Sequence, residues 1–266
     1  MIPRALTIAG SDCSGGAGLQ ADLKTFTAFG VFGTSAVTAV VAENTVGVQS
    51  IHYVPADMVA TQIRSVLDDI GADAVKLGML SRPEVVTAVA AELRRYGIPR
   101  IVLDPVMVAK SGVPLLSVEA RLLLKEELLP LAMVVTPNIP EAEVLLDRRI
   151  ETMDDMKQAA VEIRALGPGW VVVKGGHRGD EREAVDVVFD GSEHHLLSAP
   201  FFNTPNTHGT GCTFSAAITA GLARGDAPLT AIQTAKQFIT EAVRTALPLG
   251  TGRGPTNHFV RMKTGW

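Results

Sequence analysis

The sequence predicts a three-layer α/β/α fold around a central, mostly parallel sheet. Three observations carry this expectation. Short runs of Val, Ile, Leu and Ala recur along the chain, amphipathic helical segments separate them, and glycine-rich or polar residues follow the runs at their carboxyl ends. Continuous apolar runs suit strands covered on both faces, and repeated strand–helix alternation implies right-handed parallel crossovers.

Strands are expected at 5–9 (ALTIA), 35–42 (SAVTAVVA), 73–78 (DAVKLG), 100–105 (RIVLDP), 132–137 (AMVVTP), 170–174 (WVVVK) and 184–189 (AVDVVF). Between 56 and 70, Val59, Ile63, Val66, Leu67 and Ile70 form one helical stripe. Ser81 to Glu84 reads as a capping box with a proline in the first turn, and Gly97 is the expected stop. Thr152 and Asp155 open another helix in the same way. Two long helical patterns, 209–224 and 227–247, follow an irregular stretch from 178 to 208. No linker, repeat or low-complexity tract interrupts the series, so one domain over 1–266 is expected.

Composition narrows the function. At 47% hydrophobic and 20% charged residues the chain can bury a sizeable core, which excludes a disordered segment. The 24 Lys and Arg against 28 Asp and Glu give a net charge of −4 and argue against a nucleic-acid partner. The 25 glycines beside 5% aromatics point to backbone held close to a small ligand rather than to a stacking surface. Cys13 and Cys212 show neither disulfide-framework nor zinc-knuckle spacing. No secretory signal is visible, and the apolar stretch around Leu128 to Val135 is broken by Pro130, far short of the roughly 20 residues that span a bilayer. A cytoplasmic protein without a membrane partner is the expectation.

Ligands of open α/β sheets bind beyond the carboxyl ends of the strands, which directs attention to three segments. Gly16 to Ala21 fits the dinucleotide pattern G-x-G-x-x-A, with Glu43 ending the next strand, but the intervening SDCSG delays the turn. No G-x-x-x-x-G-K-[ST] exists, which excludes a P-loop enzyme. Gly209-Thr-Gly-Cys212 opens a small-residue helix, a start that offers amides and the positive helix end to an anion such as a phosphoryl group in transit. Cys212 lies in that first turn, where the same field is expected to lower its thiol pKa. Asn138 and Glu141 sit three apart at a helix entry, a spacing that suits Mg²⁺ with its waters and equally suits a helix cap. None of the six histidines has metal-ligand spacing, and His52, His194, His195 and His258 read as surface or loop residues.

The segments ALTIAGSDCSGGAGLQADLKTF, KLGML, VLDPVMVAKSG, TPNIPEAE, VVVKGGH and NTHGTGCTFSAAI, taken in order, resemble the hydroxymethylpyrimidine/phosphomethylpyrimidine kinases of thiamin biosynthesis, within the ribokinase-like superfamily. The resemblance runs nearly end to end. It implies a ribokinase-like fold and transfer of the γ-phosphate of ATP to 4-amino-5-hydroxymethyl-2-methylpyrimidine and then to its monophosphate. It further implies that Gly209, Thr210, Gly211 and Cys212 surround the transferred phosphoryl, with Cys212 as proton acceptor. Glu141, Asn138 and Asp104 would organise Mg²⁺, while Lys174, Lys236 and Thr210 would meet the phosphates. Gly10, Ala17, Asp22, Val41, Glu43, Met79 and Val106 map onto the pyrimidine pocket. The family usually carries Gln at position 43, so Glu43 implies either a protonated partner on the substrate or a changed substrate such as pyridoxal. A homodimer is implied, and a monovalent cation requirement is left open. Pyridoxal kinase, an NAD-dependent oxidoreductase built on Gly16 to Ala21 and a non-catalytic ligand-binding protein stand as alternatives.

Overall fold

The computed structural model describes residues 1–107, 116–176 and 182–261. His177 and residues 108–112 of the VLDPVMVAKSG segment lie outside them.

All seven expected strands are present. They are β1 (Arg4–Asp12), β2 (Phe32–Asn44), β4 (Ala74–Leu77), β5 (Ile101–Leu103), β6 (Val134–Val135), β7 (Trp170–Val173) and β8 (Glu183–Phe189). Two more, β3 (Gly47–Tyr53) and β9 (His194–Pro200), complete a sheet of order β3-β2-β1-β4-β5-β6-β7-β8-β9. The strands from β2 through β1, β4, β5 and β6 to β7 run parallel, whereas β3, β8 and β9 join antiparallel to their neighbours. β9 corrects the expectation of irregular chain from 178 to 208. Like β3 it is an edge strand, so partner pairing rather than an apolar run defines it, and its side chains alternate between exposed and half-buried.

The helices are α1 (Gly18–Ala28), α2 (Ala56–Leu67), α3 (Pro83–Tyr96), α4 (Val118–Leu123), α5 (Ile139–Leu146), α6 (Met153–Arg164), α7 (Thr210–Ala223) and α8 (Pro228–Arg244). Alternate strand residues serve opposite faces, as the period of two requires. Val75, Leu77, Ile101, Leu103, Val171 and Val173 pack with α2, α3 and α6, while Ala74, Val102, Val134 and Val172 pack with α1, α7 and α8. This is why β5, β6 and β7 are apolar at every position.

Caps settle several boundaries. Thr152 and Asp155 form the expected reciprocal capping box on α6, and Gly97 ends α3 with φ 60°. Ser81, however, does not cap α3. Arg82 takes the cap position, and Ser81 is buried with φ 40° and an Oγ that meets no partner among the described residues. The proline at 83 forces the extended conformation onto Arg82, so the helix starts one residue later than the Ser81 pattern requires.

Candidate active site

The carboxyl ends of β1, β4, β5, β6 and β7 open into a cavity of about 980 Å³ shared with α7, α8 and the 199–209 segment. Of the residues that sequence reasoning assigned to a site, Gly10, Ala17, Val41, Glu43, Met79, Asp104, Val106, Asn138, Glu141, Lys174, Gly209, Thr210, Gly211, Cys212 and Lys236 line it. Asp22 does not. It is fully buried beneath the floor, where its carboxylate accepts from Lys76 Nζ at 2.7 and 2.8 Å and from Thr7 Oγ1 at 2.6 Å. An acid with both oxygens committed to a buried cation is part of the floor's support, and Lys76, which does line the cavity, is the group that sequence reasoning missed. Its signal is a lysine inside the otherwise apolar strand AVKL.

Two helices start at the middle of this cavity. Gly209, the cap of α7, has φ 77°, and a Cβ there would strike the Gly16 carbonyl. Gly18, the first residue of α1, has φ 55° and faces the Gly10 carbonyl in the same way. Only glycine allows both loops to approach so closely. Thr210 N–H and Oγ1 both donate to the Thr207 carbonyl, and Gly211 and Cys212 follow along the cavity wall. A helix supplies no carbonyl of its own to amides in its first turn, so the amides of Gly211 and Cys212 are the ones open to an anion here.

The Cys212 thiol corrects the expectation of a lowered pKa. Burial pushes it up to about 11, with Asp22 and Asp104 adding to the rise, while Lys76 and the Gly18 amide only partly oppose it. The desolvation of a buried sulfur outweighs the field of the helix end.

Beside Gly211 lies a cluster of opposite charges. Lys174 Nζ donates to Asp104 Oδ1 at 3.0 Å, and Thr136 and Ser215 hydroxyls donate to the same carboxylate at 3.2 and 3.3 Å. Burial disfavours the Asp104 anion, yet Lys174 and Lys76 hold its pKa below the ordinary range. Asn138 and Glu141 form a reciprocal capping box on α5, each side chain accepting the other's amide at 2.8 Å. Burial drives the Glu141 carboxyl up to about 7, opposed by Lys174 and reinforced by Asp104. The cap and the acid site are therefore the same residues.

Next to the α7 start, Asp12 gathers the amides of Ser14, Gly16 and Ala17 at 2.8, 3.1 and 2.7 Å and pairs with His208 Nε2 at 2.9 Å. This removes the dinucleotide reading, because the amides of Gly16 and Ala17 that a pyrophosphate would need are already held by a carboxylate. Glu43 stands near this pair, and ligand atoms of Asp12, Glu43 and His208 lie within 4.8 Å of one another. Burial raises the Glu43 pKa, with His208 opposing and Asp12 adding to it. His258 lies in a turn but is buried: it is 3% exposed, its Nε2 lies 3.0 Å from Thr213 Oγ1, and burial lowers its pKa to about 4.

Lys236, expected to meet phosphates, is engaged within the protein. Its ammonium donates to Asp186 Oδ2 at 2.8 Å and to the Ala184 carbonyl at 2.9 Å, so it lines the cavity as one half of an ion pair.

Comparison with known proteins identifies the family. The phosphomethylpyrimidine kinase family model matches residues 12–257. The hydroxymethylpyrimidine/phosphomethylpyrimidine kinase of Bacillus subtilis is 47% identical over 97% of this chain and 95% of its own length. Among solved structures, the ADP complex of Bacillus subtilis pyridoxal kinase superposes with a TM-score of 0.91 at 42% identity, covering 97% of this chain and 98% of that one. The Staphylococcus aureus pyridoxal kinase in complex with AMP-PCP and pyridoxal gives 0.89 at 36% identity, covering 97% and 94%. With the helix-start anion surface, the acid–lysine cluster and this end-to-end similarity in hand, the chain belongs to the phosphomethylpyrimidine kinase family and has its ribokinase-like α/β fold.

Proposed function

We propose that this chain phosphorylates 4-amino-5-hydroxymethyl-2-methylpyrimidine from ATP and then phosphorylates the monophosphate to the diphosphate, serving thiamin biosynthesis in the cytoplasm as a homodimer. The observation that carries the reading is the position of the α7 start. It lines one cavity together with Val41, Glu43 and Met79, which suit an alcohol pocket, and with Lys236, Ile239, Thr240 and Val243, which suit a nucleotide region. An alcohol in the first and a nucleotide in the second meet at Gly209–Cys212.

Phosphoryl transfer asks the protein mainly for positioning and charge stabilisation. The amides of Gly211 and Cys212 and the Lys174 ammonium receive charge that develops on the transferred group. Asp104 fixes Lys174 in place. The donor set suits a magnesium ion: Asp104, Glu141 and Asn138 all line the cavity with oxygens, and glycine at 211 keeps a side chain away from Asp104 Oδ2, from which a Cβ would lie 3.5 Å. Glu141 and Asp104, with Asn138, would hold the ion, which supplies charge neutralisation between the phosphates of ATP. Nothing among the described residues assigns a monovalent cation site.

Cys212 is the group placed to accept the hydroxymethyl proton. As a thiol with pKa about 11 it must ionise first, so turnover is expected to rise with pH across neutrality. Glu43 meets the aminopyrimidine: an ionised carboxylate only accepts, so it pairs with the exocyclic amine and a protonated ring nitrogen, or binds as the neutral acid that its raised pKa favours. Glu43→Gln is expected to flatten the pH dependence of pyrimidine KM. Pyridoxal is the second reading, supported by the Staphylococcus aureus complex. Release of ADP from MgATP with each alcohol separates the two, and no release with either overturns the kinase reading. Cys212→Ala should lower kcat by about 10²-fold or more while leaving ATP affinity within about twofold. Equal losses would make Cys212 a structural residue.

A further inference from the structure

Asp186 takes no part in any motif and carries no step of the mechanism above, yet it is a buried acid at the wall of the cavity, 5% exposed. Its two oxygens serve two different elements. Oδ1 accepts the amide of Gly175 at 2.9 Å, the residue that follows Lys174 as the chain leaves β7. Oδ2 accepts Lys236 Nζ at 2.8 Å, from the middle of α8. Register explains the placement: Val173 of β7 pairs with Val187 of β8, so Asp186 stands one step further on, where the chain passes into Lys174 and Gly175. A Cβ on Gly175 would strike the Val185 carbonyl, which shows how tightly that arm is laid against β8.

Each arm carries a lysine that lines the cavity. Lys174 reaches Asp104 at the acid cluster, whereas Lys236 has given two of its three donors to Asp186 and the Ala184 carbonyl. One carboxylate therefore fixes both the backbone behind the first lysine and the ammonium of the second. A buried acid of this kind costs desolvation that an apolar residue would not, and no helix cap among the described residues uses it.

We propose that Asp186 is a positioning residue for the nucleotide, holding Lys236 and the Lys174–Gly175 arm at the separation that the ATP phosphates require. It acts through those groups and touches neither reacting oxygen. The inference rests on the reading of this cavity as an ATP site. It assigns Lys236 the role of a neutralised donor with one remaining N–H, rather than that of a free positive charge.

The test uses the full chain, with ADP binding by calorimetry and separate KM values for ATP and for the pyrimidine alcohol. Asp186→Ala is expected to weaken ADP binding and raise the ATP KM by about tenfold, the loss of one charge-assisted contact, with the pyrimidine KM within about twofold. In a Lys236→Met background the same substitution should cost less than about threefold, because most of its effect passes through that lysine. Asp186→Asn keeps an oxygen for the Gly175 amide and so guards against a variant that merely fails to fold. It should still weaken ADP binding by more than about threefold at unchanged melting temperature. Equal rises in both KM values, equal costs in the two backgrounds, or unaltered ADP affinity in Asp186→Asn would each overturn the proposal. Native chain that binds no ADP would overturn the ATP reading itself, and the proposal with it.

Discussion

Three residues in and beneath the site carry opposite electrostatic burdens, and each can be tested by substitution. Lys76 and Asp22 are both fully buried, so neither can turn to water if its partner is lost. Lys76→Met is expected to destabilise the fold by about 3–5 kcal/mol in urea titration, and the double variant with Asp22→Asn should recover most of that, since the cost lies in the orphaned charge. Glu141 works in the other direction. Its pKa in the fold, about 7, exceeds the ordinary 4.5, so the folded chain binds the proton more tightly than the unfolded chain does. The resulting stability is complete below pH 4.5 and is lost as pH rises through 7. Glu141→Gln should flatten that slope, worth on the order of 3 kcal/mol in chemical unfolding of the unliganded protein. Glutamine retains an oxygen for the Asn138 amide, so the cap survives. A slope that persists in the variant would place the titration elsewhere. These burdens were only half legible in the sequence. Cys212 and Glu141 stand out by motif, but the sign of the Cys212 shift depends on how much protein surrounds the sulfur, and a motif does not contain that quantity.

At the scale of elements, the site is a meeting of helix starts. α1 and α7 begin within contact of each other because Gly18 faces the Gly10 carbonyl and Gly209 faces the Gly16 carbonyl. Gly209→Ala adds a Cβ at φ 77°, against backbone that has nowhere to move. Loss of more than about 1 kcal/mol of stability is expected, together with a fall in kcat that exceeds the fall in pyrimidine affinity. A variant with native kcat would remove the anion surface from the mechanism. The helix starts themselves were readable: proline at 83, threonine at 152 and glycine at 209 each mark a boundary to within a residue or two. Ser81 misled because two cap signals overlapped, and proline, which restricts the residue before it, outranked a serine side chain. β3 and β9 were missed for a related reason. An edge strand needs only one apolar face and a partner, so its local pattern is weak until that partner is placed.

Across the whole molecule, the nucleotide and the alcohol would bind opposite ends of one cavity and draw on β1, β4, β5, β6, β7, β8, α7 and α8 together. Ligands that bind only the folded chain stabilise it by mass action. MgATP at a hundred times its Kd should add about 2.7 kcal/mol, seen as a rise in Tm, and removing the metal with EDTA should abolish most of that gain. A gain that survives EDTA would separate nucleotide binding from the acid cluster. By itself the sequence determined the parallel sheet, the order of its layers and the segments that carry the chemistry. Apolar runs, cap residues and glycine placement are local, and each is set by the chain's own steric and hydration preferences. Tertiary structure alone decided which polar residues face the ligand and which sit behind it. It put Asp22 under the floor with Lys76, gave Asp12 the amides that a dinucleotide would need, and paired Lys236 with Asp186. Those outcomes turn on desolvation and on partners far apart in the chain, and they exist only once the layers have closed.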